Sequence, residues 1–346
     1  MTGPPSVCVC VPTFNSSRTL PATLDTILRQ SYTNLSVFII DNASTDDTVS
    51  IAEAYGRRYD KIRIFPFGEN VGAEGNFTRC IQLANGDYTA IYHADDLYDR
   101  KIIEKQVDFL EQHREAGAVF TGAHFIDEKG SIIGRYRIPR DVFAGNKVTF
   151  EFQEVFKSVL KFSNFLICPS AMVRTSVYKD EIRTWDGKKY ASSADLDVWF
   201  RILQKHKIGI IQEPLMSYRV SAQSFSYHYT RSRTERADLF LVLDDYVARF
   251  RKTLLDDSDI RNYELLQVRN AVSRAANLVI QENNKGARKL LLPLLSWKAV
   301  ASGFASKRSF KIVLTGFFIF TLSYLPLGRT GRDLLLRIRT SKRIQV

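Results

Sequence analysis

The sequence of 346 residues is poor in cysteine and has no long apolar run. Its four cysteines lack the spacing of a zinc site and the context of a disulfide framework, so we expect reduced, buried thiols in a cytosolic protein. A predicted strand begins almost at the first residue, which argues against a signal peptide. Internal repeats and low-complexity segments are missing as well. With ordinary hydrophobic and charged fractions of 45% and 25%, these absences indicate a globular protein.

Positive charge is confined to one part of the chain. Residues 1–230 carry 27 basic and 27 acidic side chains, whereas residues 231–346 carry 22 and 10, so the last third holds the whole net charge of +12. A chain of this length is also long for a single domain. We therefore predict a neutral domain over residues 1–230 and a basic, helical tail over residues 231–346.

The longest apolar segment lies in this tail, from Ile312 to Leu327, with Lys and Arg on both sides. It has sixteen residues, fewer than the ~20 that a membrane-spanning helix needs. A buried core helix is a second possibility, but an interfacial helix lying in the membrane plane fits the flanking charges best. We predict that residues 309–343 associate with an anionic membrane surface. No nucleic-acid-binding motif is visible, so nucleic acid is not an expected partner.

Polar residues follow three predicted strands, Val7–Val11, Leu35–Ile40 and Tyr88–Tyr92. Open α/β sheets bind ligands at the carboxyl ends of their strands. A strand-end carboxylate such as Asp41 can accept a hydrogen bond from a nucleobase N–H or a ribose hydroxyl. Helix capping is the simpler alternative, with Ser44 or Thr45 capping the next helix.

Two adjacent carboxylates, Asp95 and Asp96, follow the third of these strands. Carboxylate oxygens are the ligands that Mg²⁺ and Mn²⁺ prefer, and either ion can hold a diphosphate. An Asp-Asp pair also opens surface turns. The pair gains weight from the polar strand ends before it and from a further acidic residue after it.

This further residue, Asp195, stands just before a predicted amphipathic helix. One interpretation is an N-cap, a task that Ser193 could share. The other is a general base that takes a proton from an acceptor hydroxyl.

In order and spacing, these motifs resemble family 2 glycosyltransferases over roughly the first two thirds of the chain. The motifs that carry the resemblance are Pro12-Thr13-Phe14-Asn15, Asp41-Asn42-Ala43-Ser44-Thr45-Asp46, Asn70-Val71-Gly72-Ala73 with Asn76, Ala84-Asn85-Gly86-Asp87-Tyr88 leading into Asp95-Asp96, then Asp195, and Glu213-Pro214-Leu215-Met216-Ser217-Tyr218-Arg219.

The resemblance implies an α/β fold of the GT-A type, with a mixed, mostly parallel central sheet, here followed by a helical extension. It also implies an inverting enzyme that uses a nucleotide-diphospho-sugar and a divalent metal, Mg²⁺ or Mn²⁺. By this likeness Asp95 and Asp96 hold the metal, Asp195 is the base, and Trp199 lies near the acceptor. The donor-binding residues would be Pro12, Thr13, Asn15, Asp41, Gly72, Asn76, His93 and Asp95.

The sequence departs from the family pattern at several positions. His93 replaces the first acid of the Asp-x-Asp-Asp motif, and Ala194 replaces one acid of the pair that marks the base. Glu74 stands where a basic residue is common, which leaves Arg79 or Arg219 as the expected phosphate contacts. The Gln-x-x-Arg-Trp motif of processive members is missing, so we expect a non-processive enzyme.

The predicted reaction moves a sugar from a UDP- or dTDP-linked donor to a hydroxyl of a lipid-linked saccharide, in surface polysaccharide biosynthesis. The enzyme would be cytoplasmic and peripheral on the inner face of the cell membrane. Two alternatives stay open. A polyprenyl-phosphate sugar synthase has a phosphate acceptor and needs no strong base, and a degenerate sugar-nucleotide-binding scaffold would not need Asp195.

Overall fold

The computed structural model describes residues 3–136, 138–139, 142, 147–220, 233–295 and 306–325, with the single positions 328, 331 and 335. The chain divides into two compact units. The first comprises residues 1–156 and 164–220, and the second comprises residues 157–163 and 221–346. The domain boundary predicted at residue 230 lies outside the described residues.

The first unit is built on a mixed sheet, which has ten strands in the described part of the chain. Along the sheet the order is β3-β2-β1-β4-β9-β6-β10-β5, with β7 paired to β6 and β8 to β10. The strands are β1 (Val7–Thr13), β2 (Leu35–Asn42), β3 (Ile62–Phe67), β4 (Tyr88–Ile91), β5 (Leu97–Tyr98), β6 (Ala116–Ile126), β7 (Ile132–Arg135), β8 (Thr149–Phe150), β9 (Met172–Arg174) and β10 (Lys207–Arg219).

The long ladders of this sheet are parallel. Strand β1 pairs in parallel with β2 and β4, β2 with β3, and β6 with β10, while the short strands pair antiparallel. This confirms the predicted mixed, mostly parallel sheet. Residues 7–11 are fully buried, as expected for a central strand covered on both faces. The parallel arrangement brings the carboxyl ends of β1, β2 and β4 to one edge of the sheet.

Helices connect and cover these strands. The first, α1, has Pro21 in its first turn, where a missing N–H is tolerated, and it buries Leu20, Leu24 and Ile27 along one face. The helices that begin in the first unit are α1 (Leu20–Leu28), α2 (Thr48–Arg58), α3 (Gly72–Leu83), α4 (Ile102–Gln112), α5 (Phe152–Phe162), α6 (Gly187–Tyr190) and α7 (Ala194–Leu203).

The second unit is helical, as predicted for the tail. Its described helices are α8 (Leu239–Phe250), α9 (Asp257–Ile280), α10 (Asn284–Leu291) and α11 (Lys307–Leu322). Pro293 lies in a 3₁₀ turn directly after α10, since proline cannot donate the next helical hydrogen bond. Helix α9 begins at a capping box formed by Asp256 and Asp259.

A small core holds α9, α10 and α11 together. Val272, Ala275 and Val279 of α9 lie in one buried cluster with Leu291 and Ile319. Within the described ranges, every helix falls short of the length and apolarity needed to cross a membrane.

Candidate active site

Thr13 and Asp41 are brought together at the ends of β1 and β2, where they are register partners. Thr13 Oγ1 donates to Asp41 Oδ1 at 2.9 Å, and Ser44 donates to the same carboxylate through its N–H and its hydroxyl. Both Thr13 and Asp41 are 2% exposed. In this structure Asp41 therefore holds the two strand ends together, and its contact with a nucleoside stays a prediction.

The two loops that follow β1 and β2 are cross-linked by side chains. Asn15, at a φ of 49°, accepts from the Thr45 N–H at 2.8 Å and donates its own N–H to Ser44 Oγ at 2.9 Å. The predicted capping of α2 by Ser44 or Thr45 is wrong, since its N-cap is Asp47. The strand ends lie side by side, so the hydroxyls find partners across the loops rather than along the helix. Pro12, which precedes Thr13, is half-buried at the end of β1.

Gly72 and Asn76 lie at the start of α3. Gly72 has a φ of +78°, a conformation that glycine adopts without strain. Asn76 is 2% exposed and donates its amide to the Ile40 carbonyl at 2.9 Å. It therefore holds α3 against β2, and its contact with the donor stays a prediction.

His93, Asp95 and Asp96 form an acidic cluster directly after β4. One potential ligand atom from each lies within 4.8 Å of the others. Asp96 is 1% exposed, and its Oδ1 accepts a hydrogen bond from the backbone N–H of Arg219 at 2.8 Å. Among the described residues, neither Asp96 Oδ2 nor His93 Nε2 has a hydrogen-bond partner. Buried polar atoms without partners are unfavourable, so the cluster fits a bound divalent cation.

The electrostatics of this cluster agree with a cation site. Burial raises the pKa of Asp96 well above its usual range, and the charge of Asp95 raises it further. Burial also lowers the pKa of His93 and keeps the imidazole neutral. A divalent ion would reverse the effect on the carboxylates, because positive charge favours their ionised form.

The backbone of this cluster is held by Thr23 and Arg219. Thr23 Oγ1 donates to the carbonyls of Ala94 and Asp96, at 3.0 and 2.8 Å. The Arg219 guanidinium donates to Asp95 O at 2.8 Å. It also donates to the carbonyls of Asp127 and Glu128, in the turn between β6 and β7. Arg219 is 8% exposed, so the structure places it as a clamp on this loop rather than as the predicted phosphate contact.

Arg79 is likewise engaged within the fold. Its guanidinium donates to Asn42 Oδ1 at 3.0 Å and to the Glu69 carbonyl at 3.2 Å, and it lies 4.0 Å from the centroid of the Phe67 ring. These contacts fix α3 to the ends of β2 and β3. The structure therefore gives Arg79 a packing role instead of the predicted phosphate contact.

Asp195 is the second residue of α7. The N-cap of this helix is Ser193, so the interpretation of Asp195 as the N-cap is wrong. Its Oδ1 accepts the Leu196 N–H at 2.7 Å, and its Oδ2 is 3.5 Å from the Asn164 amide nitrogen. Burial raises the pKa of Asp195 to about 6, and the Glu74 carboxylate also raises it. A carboxylate with this pKa is ionised at neutral pH and is a stronger base than an exposed aspartate.

Asp195 and the acidic cluster share a neighbour, Cys168. Burial raises the pKa of the Cys168 thiol, and the charges of Asp195 and Asp96 raise it further. Each of the two carboxylates therefore lies within electrostatic range of this thiol. That the predicted base and the predicted metal ligands form one site stays a prediction.

The aromatic side chains around His93 were not identified from the sequence. Phe77 stacks on the His93 ring with centroids 5.6 Å apart, and Trp185 lies 4.7 Å from Phe77. The backbone N–H of Trp185 donates to Thr78 Oγ1, and this hydrogen bond ties the aromatic side chains to α3. No local pattern reveals these contacts, since Trp185 is far along the chain from Phe77 and His93.

Trp199 lies deeper than predicted. It is 1% exposed and packs edge-to-face against Phe120 at 4.9 Å and Trp185 at 5.9 Å. It lies one turn beyond Asp195 on α7, in the core. The prediction that Trp199 lies near the acceptor stays a prediction, with the side chain itself in the core.

Phe14 was overlooked in the sequence, although it stands between Thr13 and Asn15. It is 49% exposed, which is unusual for a large aromatic side chain. Its exposed ring is a surface on which a nucleobase can stack. Its position as an aromatic residue in the polar loop after β1 could have indicated this role from the sequence.

Comparison with known proteins gives one family. The sequence model described as Glycosyl transferase family 2 matches residues 8–181. EpsE of Bacillus subtilis, a protein named as a glycosyltransferase, is 30% identical over 258 residues, which cover 74% of this chain and 87% of EpsE. TuaG of the same organism, named for teichuronic acid biosynthesis, is 25% identical over 227 residues, which cover 64% of this chain and 82% of TuaG.

Solved structures show the same fold. TarS from S. aureus in complex with UDP aligns with a TM-score of 0.52 and 14% identity, over 92% of this chain and 91% of that chain. The mannosyltransferase PcManGT from Pyrobaculum calidifontis, in complex with GDP-Man and Mn²⁺, aligns with a TM-score of 0.52 and 17% identity, over 93% and 87%. Both likenesses support the GT-A-type fold predicted from the sequence.

Proposed function

Because the chain belongs to glycosyltransferase family 2, we propose that it moves one sugar from a nucleotide-diphospho-sugar to a saccharide hydroxyl, with inversion at the anomeric carbon. The observation that carries this proposal is the cluster of His93, Asp95 and Asp96, in which Asp96 Oδ2 and His93 Nε2 have no partner among the described residues. The buried carboxylate of Asp195, with its raised pKa, supports it. The cluster suits a metal-bound diphosphate, and Asp195 suits proton transfer.

Asp95 and Asp96 would hold the divalent metal, with His93 beside them. When bound, Mg²⁺ or Mn²⁺ neutralises the charge that develops on the leaving diphosphate. The neutral His93 Nε2 is a buried ring nitrogen without a partner among the described residues, so it can bind either the metal or a donor hydroxyl. Thr13 and Asp41 would hold the nucleoside, with the exposed Phe14 ring beside them.

Asp195 would take the proton from the acceptor oxygen as this oxygen attacks the anomeric carbon. Attack from the face opposite the leaving diphosphate needs one base and forms no covalent intermediate. The Leu196 N–H and the Asn164 amide orient the carboxylate for this step. A positioned base of this kind typically contributes ~10²–10⁴-fold to the rate.

Surface polysaccharide is the proposed destination of the sugar. The support comes from the names of relatives, since TuaG is named for teichuronic acid biosynthesis. We place the acceptor on a lipid carrier and the enzyme on the inner face of the cell membrane, as predicted from the basic tail. The proposed donor is UDP- or dTDP-linked. The fold does not select the nucleotide, because the solved neighbours hold UDP in one case and GDP-Man in another.

The experiment is a hydrolysis screen of UDP-, dTDP- and GDP-sugars with Mg²⁺, with Mn²⁺ and with chelator. We expect metal-dependent turnover of a UDP- or dTDP-sugar. Turnover of GDP-sugars alone would overturn the donor assignment. Absence of turnover and of donor binding would favour the scaffold alternative. Efficient transfer to polyprenyl phosphate but not to saccharides would favour the phosphate-acceptor alternative.

A further inference from the structure

Helix α11 is buried on one face only. Val313, Gly316 and Ile319 face the core of the second unit, and a side chain at Gly316 would meet Leu294 and Val272. The opposite face carries Phe310, Leu314 and Phe318, which are 46%, 56% and 56% exposed. We call these three residues the apolar stripe.

The stripe lies in an unusually apolar part of the surface. Three more large apolar side chains, Leu292, Tyr324 and Leu325, are exposed at 50% or more close to it in the sequence. Half of the exposed large hydrophobic side chains of the described chain therefore fall between residues 292 and 325. Isolated exposed apolar residues are ordinary, but a contiguous set usually marks an interaction surface.

The charged residues on either side of the stripe in the sequence are almost all basic. Residues 283–346 contain 13 Lys and Arg but a single acidic residue, Asp333, so they account for the entire net charge of +12. Helix α11 itself has no acidic residue, and its Lys307 and Lys311 are exposed beside the stripe. A second copy of this chain would bring the same positive charge against it, which is unfavourable. The surface instead suits a partner that is both negatively charged and apolar.

We propose that the apolar stripe is a docking surface for an anionic lipid bilayer. The helix lies in the plane of the membrane, with Phe310, Leu314 and Phe318 among the acyl chains and Lys307 and Lys311 at the headgroups. Its other face stays packed in the second unit, so docking needs no unfolding. The inference does not depend on the reaction catalysed by the first unit.

The test is binding of the full-length protein to vesicles of phosphatidylcholine with phosphatidylglycerol, compared with phosphatidylcholine alone. The stripe variant is Phe310→Gln/Leu314→Gln/Phe318→Gln. Its matched control is Ile132→Gln/Ile133→Gln, which changes two exposed apolar residues of β7 in the first unit. Donor hydrolysis and circular dichroism establish that each variant is folded.

The wild type is expected to prefer the anionic vesicles and to lose binding as salt is raised. The stripe variant is expected to bind at least about tenfold more weakly, because the loss of even one immersed large side chain lowers affinity by about this factor. The control is expected to bind like the wild type. A second variant, Lys307→Gln/Lys311→Gln, keeps the stripe and is expected to bind anionic vesicles about fivefold more weakly for each lysine removed.

Three results would overturn the proposal. One is a wild type without preference for anionic vesicles at low salt. Another is a folded stripe variant that binds vesicles normally while the lysine variant does not, which would show that charge alone carries vesicle binding and that the stripe does not enter the bilayer. The third is a wild-type dimer that the stripe variant converts to monomer with vesicle binding unchanged, which would assign the stripe to a second copy.

Discussion

Asp195 is a carboxylate that the fold makes harder to ionise. Burial raises its pKa from 3.8 to about 6, so the folded chain favours the protonated form more than the unfolded chain does. Ionised Asp195 therefore destabilises the fold. This effect is absent below about pH 4, grows as pH rises, and is complete above about pH 6. Destabilising groups of this kind are common at sites of proton transfer.

The variant Asp195→Asn tests separately the role of this carboxylate in catalysis and its effect on stability. We expect donor affinity to survive while transfer falls by ~10²-fold or more, because the side chain keeps its shape but loses the base. Near neutral pH the variant should also melt at a higher temperature than the wild type, and this difference should vanish near about pH 4. Kinetics and thermal melts at both pH values measure these effects. The exposed Asp180→Asn is the control, and near-full transfer by Asp195→Asn would contradict the assignment.

Phe14 gives a second prediction for single residues. Removal of its exposed ring in Phe14→Ala should weaken donor binding by ~1–3 kcal/mol, the usual range for stacking of a base on an aromatic ring. Phe14→Tyr keeps the ring and should bind donor like the wild type. Calorimetric titration with the nucleoside diphosphate compares the three proteins. Unchanged affinity in Phe14→Ala would show that the base lies elsewhere.

At the scale of elements, β10 supports the acidic cluster, because it pairs with β5, which directly follows Asp96. Arg219 ends β10 and holds the carbonyls of Asp95, Asp127 and Glu128. Lysine in its place keeps the charge but lacks the several directed donors of a guanidinium. A phosphate contact would tolerate this change better than a clamp would.

We therefore expect Arg219→Lys to lower the free energy of unfolding by roughly 3 kcal/mol, since at least two hydrogen bonds worth about 1.5–3 kcal/mol each are lost. Metal affinity should fall with it, because the guanidinium that holds the Asp95 carbonyl is lost and the loop carrying Asp95 and Asp96 is less fixed. Urea unfolding and Mn²⁺ titration measure the two effects. Arg18→Lys, at an exposed position, serves as control. Normal stability and metal affinity, with only donor affinity reduced, would restore the phosphate-contact interpretation.

Helix α11 gives a prediction about packing. Gly316→Val places a side chain about 3 Å from Leu294 and Val272, so it should lower the free energy of unfolding by about 1–3 kcal/mol. Thr315→Val lies on the exposed side of the same turn and should change it by less than about 0.5 kcal/mol. Urea unfolding followed by circular dichroism measures both. Equal stability of the two variants would show that α11 does not pack on α9 as described.

The elements could be predicted from sequence where local patterns determine them. The apolar runs of β1, β2 and β4 and the amphipathic α7 were found in this way. Contacts between distant segments could not be found. The cross-loop partners of Ser44 and the clamp of Arg219 depend on strands that pair only in the folded sheet. For the same reason the sequence did not reveal that Trp199 packs against Phe120 and Trp185 in the core.

At the scale of the whole molecule, the predicted site residues and the excess positive charge lie in different parts of the chain. The predicted donor and metal ligands lie in the first unit, while the excess positive charge lies in residues 283–346. Salt should therefore affect the two activities differently. We expect donor affinity to rest on buried groups that are screened weakly, and vesicle binding to rest on exposed lysines such as Lys307 and Lys311, which salt screens within a Debye length of ~8 Å.

The most direct test of the central claim is calorimetric titration of the preferred nucleotide-sugar donor with and without Mn²⁺, into the wild type and into Asp95→Asn/Asp96→Asn. The exposed Asp60→Asn is the control. The wild type and the control should bind donor at least about tenfold more tightly when Mn²⁺ is present, and the double variant should lose this enhancement. Donor binding by the double variant with the full Mn²⁺ enhancement would contradict the assignment of the metal and of the site built around it.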